Sequence, residues 1–208
     1  MTYTYIRLPR PAAAFISVLL IGFSLALLGL GWRAAEAEAE MKELKARLEA
    51  IETRLAEMEE VYEQAGQIRQ YILRAARCTP RQATEIAYQI IATARIEGLD
   101  PALLAGVAKV ESGFNPAAVG RLGERGLVQV RPATFASWHA GDINDWRAAL
   151  EAGARFLSSC LRRFRWPRLA LAAYNAGPSR PPAEILAVSG RYADRVLAAK
   201  AAIERGRG

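Results

Sequence analysis

The chain has 208 residues, enough for one sizeable hydrophobic core with accessory segments and too few for two large domains. Residues 1–78 balance 10 Lys/Arg against 10 Asp/Glu, so the formal net charge of +7 sits on residues 79–208, with 18 against 11. Two cysteines without CxxC spacing and a lone His139 exclude a zinc cluster, so no metal or other cofactor is expected.

Residues 11–32 contain no charged side chain. A helix needs roughly 20 apolar residues to cross a hydrocarbon core, so this run is long enough for a transmembrane anchor. Arg7 and Arg10 precede it and Arg33 follows, while Lys42, Lys45 and Arg47 lie beyond, so flanking charge does not fix its orientation. A cleaved signal peptide is the alternative, because Ala35-Glu36-Ala37 offers a small-x-small site. Either reading exports the remainder of the chain. Residues 1–33 are thus expected to form a short stub and an anchor or signal.

Residues 34–78 are nearly free of Gly and Pro and read as a long helical, coiled-coil-like stalk. Met41, Leu44, Leu48, Ile51, Leu55, Met58, Tyr62 and Ala65 recur at alternating spacings of three and four, as at heptad positions a and d. A homodimer through residues 41–65 is one expectation, and an amphipathic helix lying on the domain or the membrane is the other. Fully helical, the segment would span about 60 Å at roughly 1.5 Å per residue.

Residues 79–208 are expected to form a compact, mainly α domain. Thr79-Pro80 suits a helix start, and Ile86, Ile90, Ile91 and Ala94 share one helical face, with Gly98 as the stop. Asp100-Pro101 supplies an N-cap and a first-turn proline for a helix over 101–111. Residues 115–132 hold three glycines and read as a loop with short strand-like pieces. Another helix starts at Asp145-Trp146 and runs to about Arg165, and shorter ones are expected over 168–176, 183–188 and 192–204. Cys78 and Cys160 are read either as a disulfide fastening the domain entrance or as two separate thiols. Arg162, Arg163, Arg165 and Arg168 surround Phe164 and Trp166. No nucleic-acid-binding motif accompanies them, so no nucleic-acid partner is expected.

Glu111 ends the apolar run 103–110 and is followed at once by Ser112-Gly113-Phe114-Asn115-Pro116. A carboxyl group there can be partly desolvated by its helix while facing a cleft, and burial raises its pKa. A glutamate so placed can give up a proton near neutral pH. A solvent-facing helix-end glutamate is the alternative reading.

Three stretches occur in order: 111–119 (ESGFNPAAV), 123–134 (GERGLVQVRPAT) and 172–178 (AAYNAGP). Together they resemble the soluble-lytic-transglycosylase-like (SLT) catalytic domain of bacterial cell-wall enzymes, over about residues 82–195. The resemblance implies a lysozyme-like fold and peptidoglycan glycan strands as substrate. It implies non-hydrolytic cleavage of the β-1,4 bond between N-acetylmuramic acid and N-acetylglucosamine, leaving a 1,6-anhydro ring. Glu111 would be the acid and then the base, and Tyr174 would hydrogen-bond its carboxyl group. Gln129, Asn175, Ser112 and Glu124 are the implied substrate-side residues, with Ser112 bracing the turn and Phe114 and Leu127 packing beneath. The catalytic domain would face the periplasm or the wall from the inner membrane, or would belong to a phage virion.

Two positions depart from the family pattern. Gly120 stands where many relatives have serine, and Glu124 stands where alanine is common. Goose-type lysozymes share this fold, use water and carry an acidic residue at about this offset, so Glu124 would suit a muramidase. Its alternative reading is a surface carboxylate paired with Arg121 or Arg125. A third reading is a wall-binding scaffold without catalysis.

Overall fold

The computed structural model describes residues 10–207, so the N-terminal stub with Arg7 lies outside the described residues. Among these residues it contains seven α-helices and one 3-10 turn, Arg205–Arg207. They run in the order α1 (Arg10–Ala75), α2 (Pro80–Ile96), α3 (Pro101–Ser112), α4 (Pro132–Trp138), α5 (Trp146–Phe164), α6 (Pro167–Ala176) and α7 (Pro182–Glu204). No strand is present among the described residues. The expected strand-like pieces are two isolated bridges, Val119 with Arg125 and Arg125 with Val130.

The chain divides into two compact units, Met1–Glu57 and Met58–Gly208. In the first unit, the described apolar side chains between residues 15 and 32 are exposed and belong to a helix long and apolar enough to cross a membrane. The heptad side chains in this unit, Met41, Leu44, Leu48, Ile51 and Leu55, are all exposed.

The second unit begins earlier than the expected boundary at 78/79. Ala65, Ile68 and Ile72 of α1 are buried in the same core as α2, α3 and α7, so the end of the expected stalk is part of the fold. Lys109 Nζ donates to the Ala75 carbonyl at 3.0 Å, placing a cation on one of the unpaired carbonyls that end α1. Thr79 then caps α2 in a reciprocal capping box with Gln82.

Helix α3 lies at the centre of this unit, because residues 103–108 are all buried. Asp100 caps it, its carboxylate accepting from the Ala102 N–H at 2.8 Å, and Pro101 occupies the first turn. Gly106 lets α7 approach closely: a Cβ there would lie 2.9 Å from the Val196 carbonyl oxygen. Gly113 closes α3 in the left-handed region at φ 62°, and Phe114 follows at φ 65°. The cost of a non-glycine residue in that conformation, about 1–2 kcal/mol, is offset by burying the Phe114 ring against Tyr71.

Two expectations change here. The helices expected over 183–188 and 192–204 are one continuous α7, whose buried Ile185, Ser189, Tyr192, Val196 and Ile203 form a single stripe. The Ser189-Gly190 pair does not break it, because the Arg168 guanidinium packs where a Gly190 side chain would begin. Helix α4 was not expected at all. Cys78 and Cys160 are both free thiols, and burial pushes the Cys160 pKa up to about 11.

Candidate active site

Glu111 occupies the last turn of α3 and opens into a cleft of about 570 Å³. The cleft also takes Glu124, Gln129, Tyr174 and Asn175, so the fold gathers five of the six expected site residues. Those five come from α3, the 113–131 loop and the end of α6.

The Glu111 carboxyl holds its proton above its ordinary value of 4.5. Burial is the main cause, because removing the carboxylate from water disfavours the charged form. The Tyr192 hydroxyl opposes this, the Glu124 carboxylate adds to it by like-charge repulsion, and Arg195 and Arg131 pull the other way.

Tyr192 is a neighbour of Glu111 that the sequence did not single out. It lies on α7 and is buried, and its hydroxyl makes no hydrogen bond of normal geometry. It is nevertheless close enough to the Glu111 carboxyl to favour the ionised form. Burial, followed by the charge of Glu111, pushes its own pKa upward, so it remains a neutral phenol. The available signal was its place on the buried stripe of α7, a pattern that reads as core.

Tyr174 does not do what was expected of it. Its hydroxyl donates to the Val128 carbonyl at 2.9 Å instead of to Glu111. Its ring packs against Phe156, with centroids 5.3 Å apart. Gly153 leaves the room for this arrangement: a Cβ there would overlap Val128 and lie 3.1 Å from the Tyr174 hydroxyl. Tyr174 thus ties α6 to the loop that carries Gln129. Burial, with the Glu111 charge as a secondary cause, raises its pKa well above the ordinary value.

Gln129 sits at φ 48°, and its amide donates to the Gly126 carbonyl at 3.0 Å and the Ala118 carbonyl at 3.2 Å. Its donors are therefore spent on shaping the loop, which leaves the carbonyl oxygen for a ligand. Asn175 accepts from Ser189 Oγ at 2.8 Å, tying the end of α6 to α7. Ser112 does not line the cleft. Its hydroxyl donates toward the Leu127 carbonyl at 2.8 Å and accepts from the Asn115 N–H, which makes it the brace of the turn. Phe114 and Leu127 are buried beneath, as expected.

Glu124 is not the surface carboxylate of the alternative reading, since its side chain is only 16% exposed. It accepts from the Leu122 N–H at 2.9 Å and pairs with Arg131 at 3.5 Å, not with Arg121 or Arg125. The two departures from the family pattern are physically one. A Cβ at Gly120 would overlap the Glu124 carboxylate and lie 2.9 Å from Gln129 Oε1. The carboxylate of residue 124 fills the space that a residue-120 side chain would occupy.

The far wall of the cleft is α4, which contributes Ala133, Thr134, Ser137 and Trp138. Arg155 fixes its end by donating to the Trp138 carbonyl at 2.9 Å while pairing with Glu97 at 3.1 Å. Trp138 and Phe156 both line the cleft, with ring centroids 6.5 Å apart. Aromatic faces of this kind suit the apolar faces of sugar rings.

A cleft that sets one partly buried glutamate beside a second carboxylate and two aromatic rings belongs, by fold, with the lysozyme-like proteins. The 70 kDa soluble lytic transglycosylase of Escherichia coli aligns with a TM-score of 0.51 at 21% identity, over 58% of this chain and 24% of that one. Residues 88–190 match the family model of the Transglycosylase SLT domain. The "Transglycosylase" of Enterobacteria phage PRD1 is 37% identical over 82 residues, covering 39% of this chain. The "Membrane-bound lytic murein transglycosylase F" of Alteromonas mediterranea is 34% identical over 88 residues, covering 38% of this chain. The matches span 31% of the phage protein and 19% of the Alteromonas protein.

Proposed function

We propose that this chain is a membrane-anchored lytic transglycosylase that cuts peptidoglycan glycan strands without water. Glu111, partly buried yet open to a sugar-sized cleft, carries the reading. Its protonated carboxyl donates to the glycosidic oxygen between N-acetylmuramic acid and N-acetylglucosamine, and the bond from that oxygen to the muramyl C1 breaks. The resulting carboxylate accepts the proton of the muramyl C6 hydroxyl, and O6 bonds to C1 to close the 1,6-anhydro ring. Glu111 thereby regains its proton and no water is consumed, so one carboxyl group does both steps. Trp138 and Phe156 support the sugar faces, while Asn175 and the Gln129 carbonyl serve hydroxyl and acetamido groups. The exposed apolar segment of α1 acts as the anchor, in keeping with the membrane-bound relative.

Glu111→Gln keeps the shape of the side chain and removes the proton. Release of soluble fragments from purified peptidoglycan should fall by about 10²- to 10⁴-fold, the range that general acid–base catalysis contributes. Unchanged release would sink the assignment.

One observation favours a second reading. Glu124 is an enclosed carboxylate in the same cleft, with Gly120 clearing its place. Two carboxylates can hold and activate a water between them, giving a muramidase. That reading requires hydrated muramyl ends that disappear in Glu124→Gln.

A further inference from the structure

The seven large apolar side chains of α1 at 41, 44, 48, 51, 55, 58 and 62 are each more than half exposed. On a helix of 3.6 residues per turn, spacings of three and four keep them on one stripe. At Ala65 the chain's own core takes over, with Ala65, Ile68 and Ile72 buried. Before that point nothing among the described residues covers the stripe.

The flanking charges say what would. With Leu44, Ile51 and Met58 at d, the g positions hold Glu40, Arg47 and Arg54, and the e positions hold Lys45, Glu52 and Glu59. In a parallel, in-register pair each g residue faces the e residue five places further along the other helix. Glu40 then meets the partner's Lys45, Arg47 meets the partner's Glu52, and Arg54 meets the partner's Glu59. All three pairs join opposite signs. An antiparallel pair centred on the same stripe instead sets Arg47 against the partner's Arg54.

We propose that residues 41–62 pair with a second copy of this chain as a parallel, in-register two-stranded coiled coil. All six flanking charges are exposed and available to such a partner. Arg47 contacts Glu43 of its own helix at 2.6 Å, an exposed pair one turn away that can yield to an interchain partner. The membrane reading adds only that copies anchored through residues 11–32 enter the seam from the same end. The charge pattern fixes the orientation without it.

The test is sedimentation equilibrium of the full chain in mild detergent, where the mass of two copies is expected. Leu48→Asp with Ile51→Asp places charge in the seam and should raise the dissociation constant at least about a hundredfold. These side chains are exposed in the single chain, and an unchanged helical circular-dichroism signal would verify folding. Arg47→Glu/Arg54→Glu and Glu52→Arg/Glu59→Arg should each be single alone and pair when mixed. Leu44→Cys, in a chain with Cys78→Ser, should cross-link to its identical position in native membranes under oxidation. A wild-type chain that stays single at every concentration overturns the proposal. So does a two-copy mass that survives Leu48→Asp/Ile51→Asp, because the contact would then lie elsewhere.

Discussion

Two neighbours of Glu111 act on its proton in opposite senses. Glu124 favours the protonated carboxyl and the Tyr192 hydroxyl favours the ionised one. Removing the hydroxyl in Tyr192→Phe should therefore raise the Glu111 pKa further. If Glu111 must be protonated to act as the acid, the alkaline limb of the cleavage rate moves to higher pH in that variant. A pH–rate profile on purified glycan strands checks this, and an unmoved limb would mean that Tyr192 merely packs. Glu111 was legible only together with the 123–134 and 172–178 stretches, because a helix-end carboxylate ahead of a Gly/Asn/Pro turn can equally face solvent. Two phenols feel its charge, Tyr174 and Tyr192. Tyr174 was legible through the 172–178 stretch, whereas Tyr192 lies outside the three stretches and its place depends on how α7 packs.

Among the elements, α3 carries the carboxyl, and α7 approaches α3 closely at Gly106. Gly106→Ala puts a methyl group against the Val196 carbonyl and should destabilise the domain by about 1–3 kcal/mol, as overpacking does. Urea denaturation followed by circular dichroism measures it, and an unaltered midpoint would contradict the close approach. The capped helices α2 and α3 were readable because Thr79-Pro80 and Asp100-Pro101 mark their starts. Helix α4 was not, since seven residues with one buried side chain, Phe135, carry no period to detect. The break expected within α7, between 188 and 192, takes in Gly190. A mid-helix glycine costs only about 1 kcal/mol, and here it admits the Arg168 guanidinium, which pairs with Asp194.

At the scale of the molecule, the sequence divided the chain by composition, whereas burial divides it by core. Residues 58–75 look like the stalk in their Ala/Glu/Arg content, yet Ala65, Ile68 and Ile72 belong to the domain. The charged faces of a stalk helix and of a helix packed on one side are alike, so only the packing separates them. Under the proposed function, the apolar segment, the exposed heptads and the residues that match the SLT family model would take three successive roles: insertion, pairing and cutting. The chemistry of the cut is written in its products. Purified peptidoglycan should be digested with the full chain and the released muropeptides weighed by mass spectrometry. Cleavage through Glu111 alone should leave 1,6-anhydro-muramyl ends, lighter by one water than hydrolysed ends. Muropeptides carrying only hydrated ends would contradict it and assign the chemistry to a water held by Glu124.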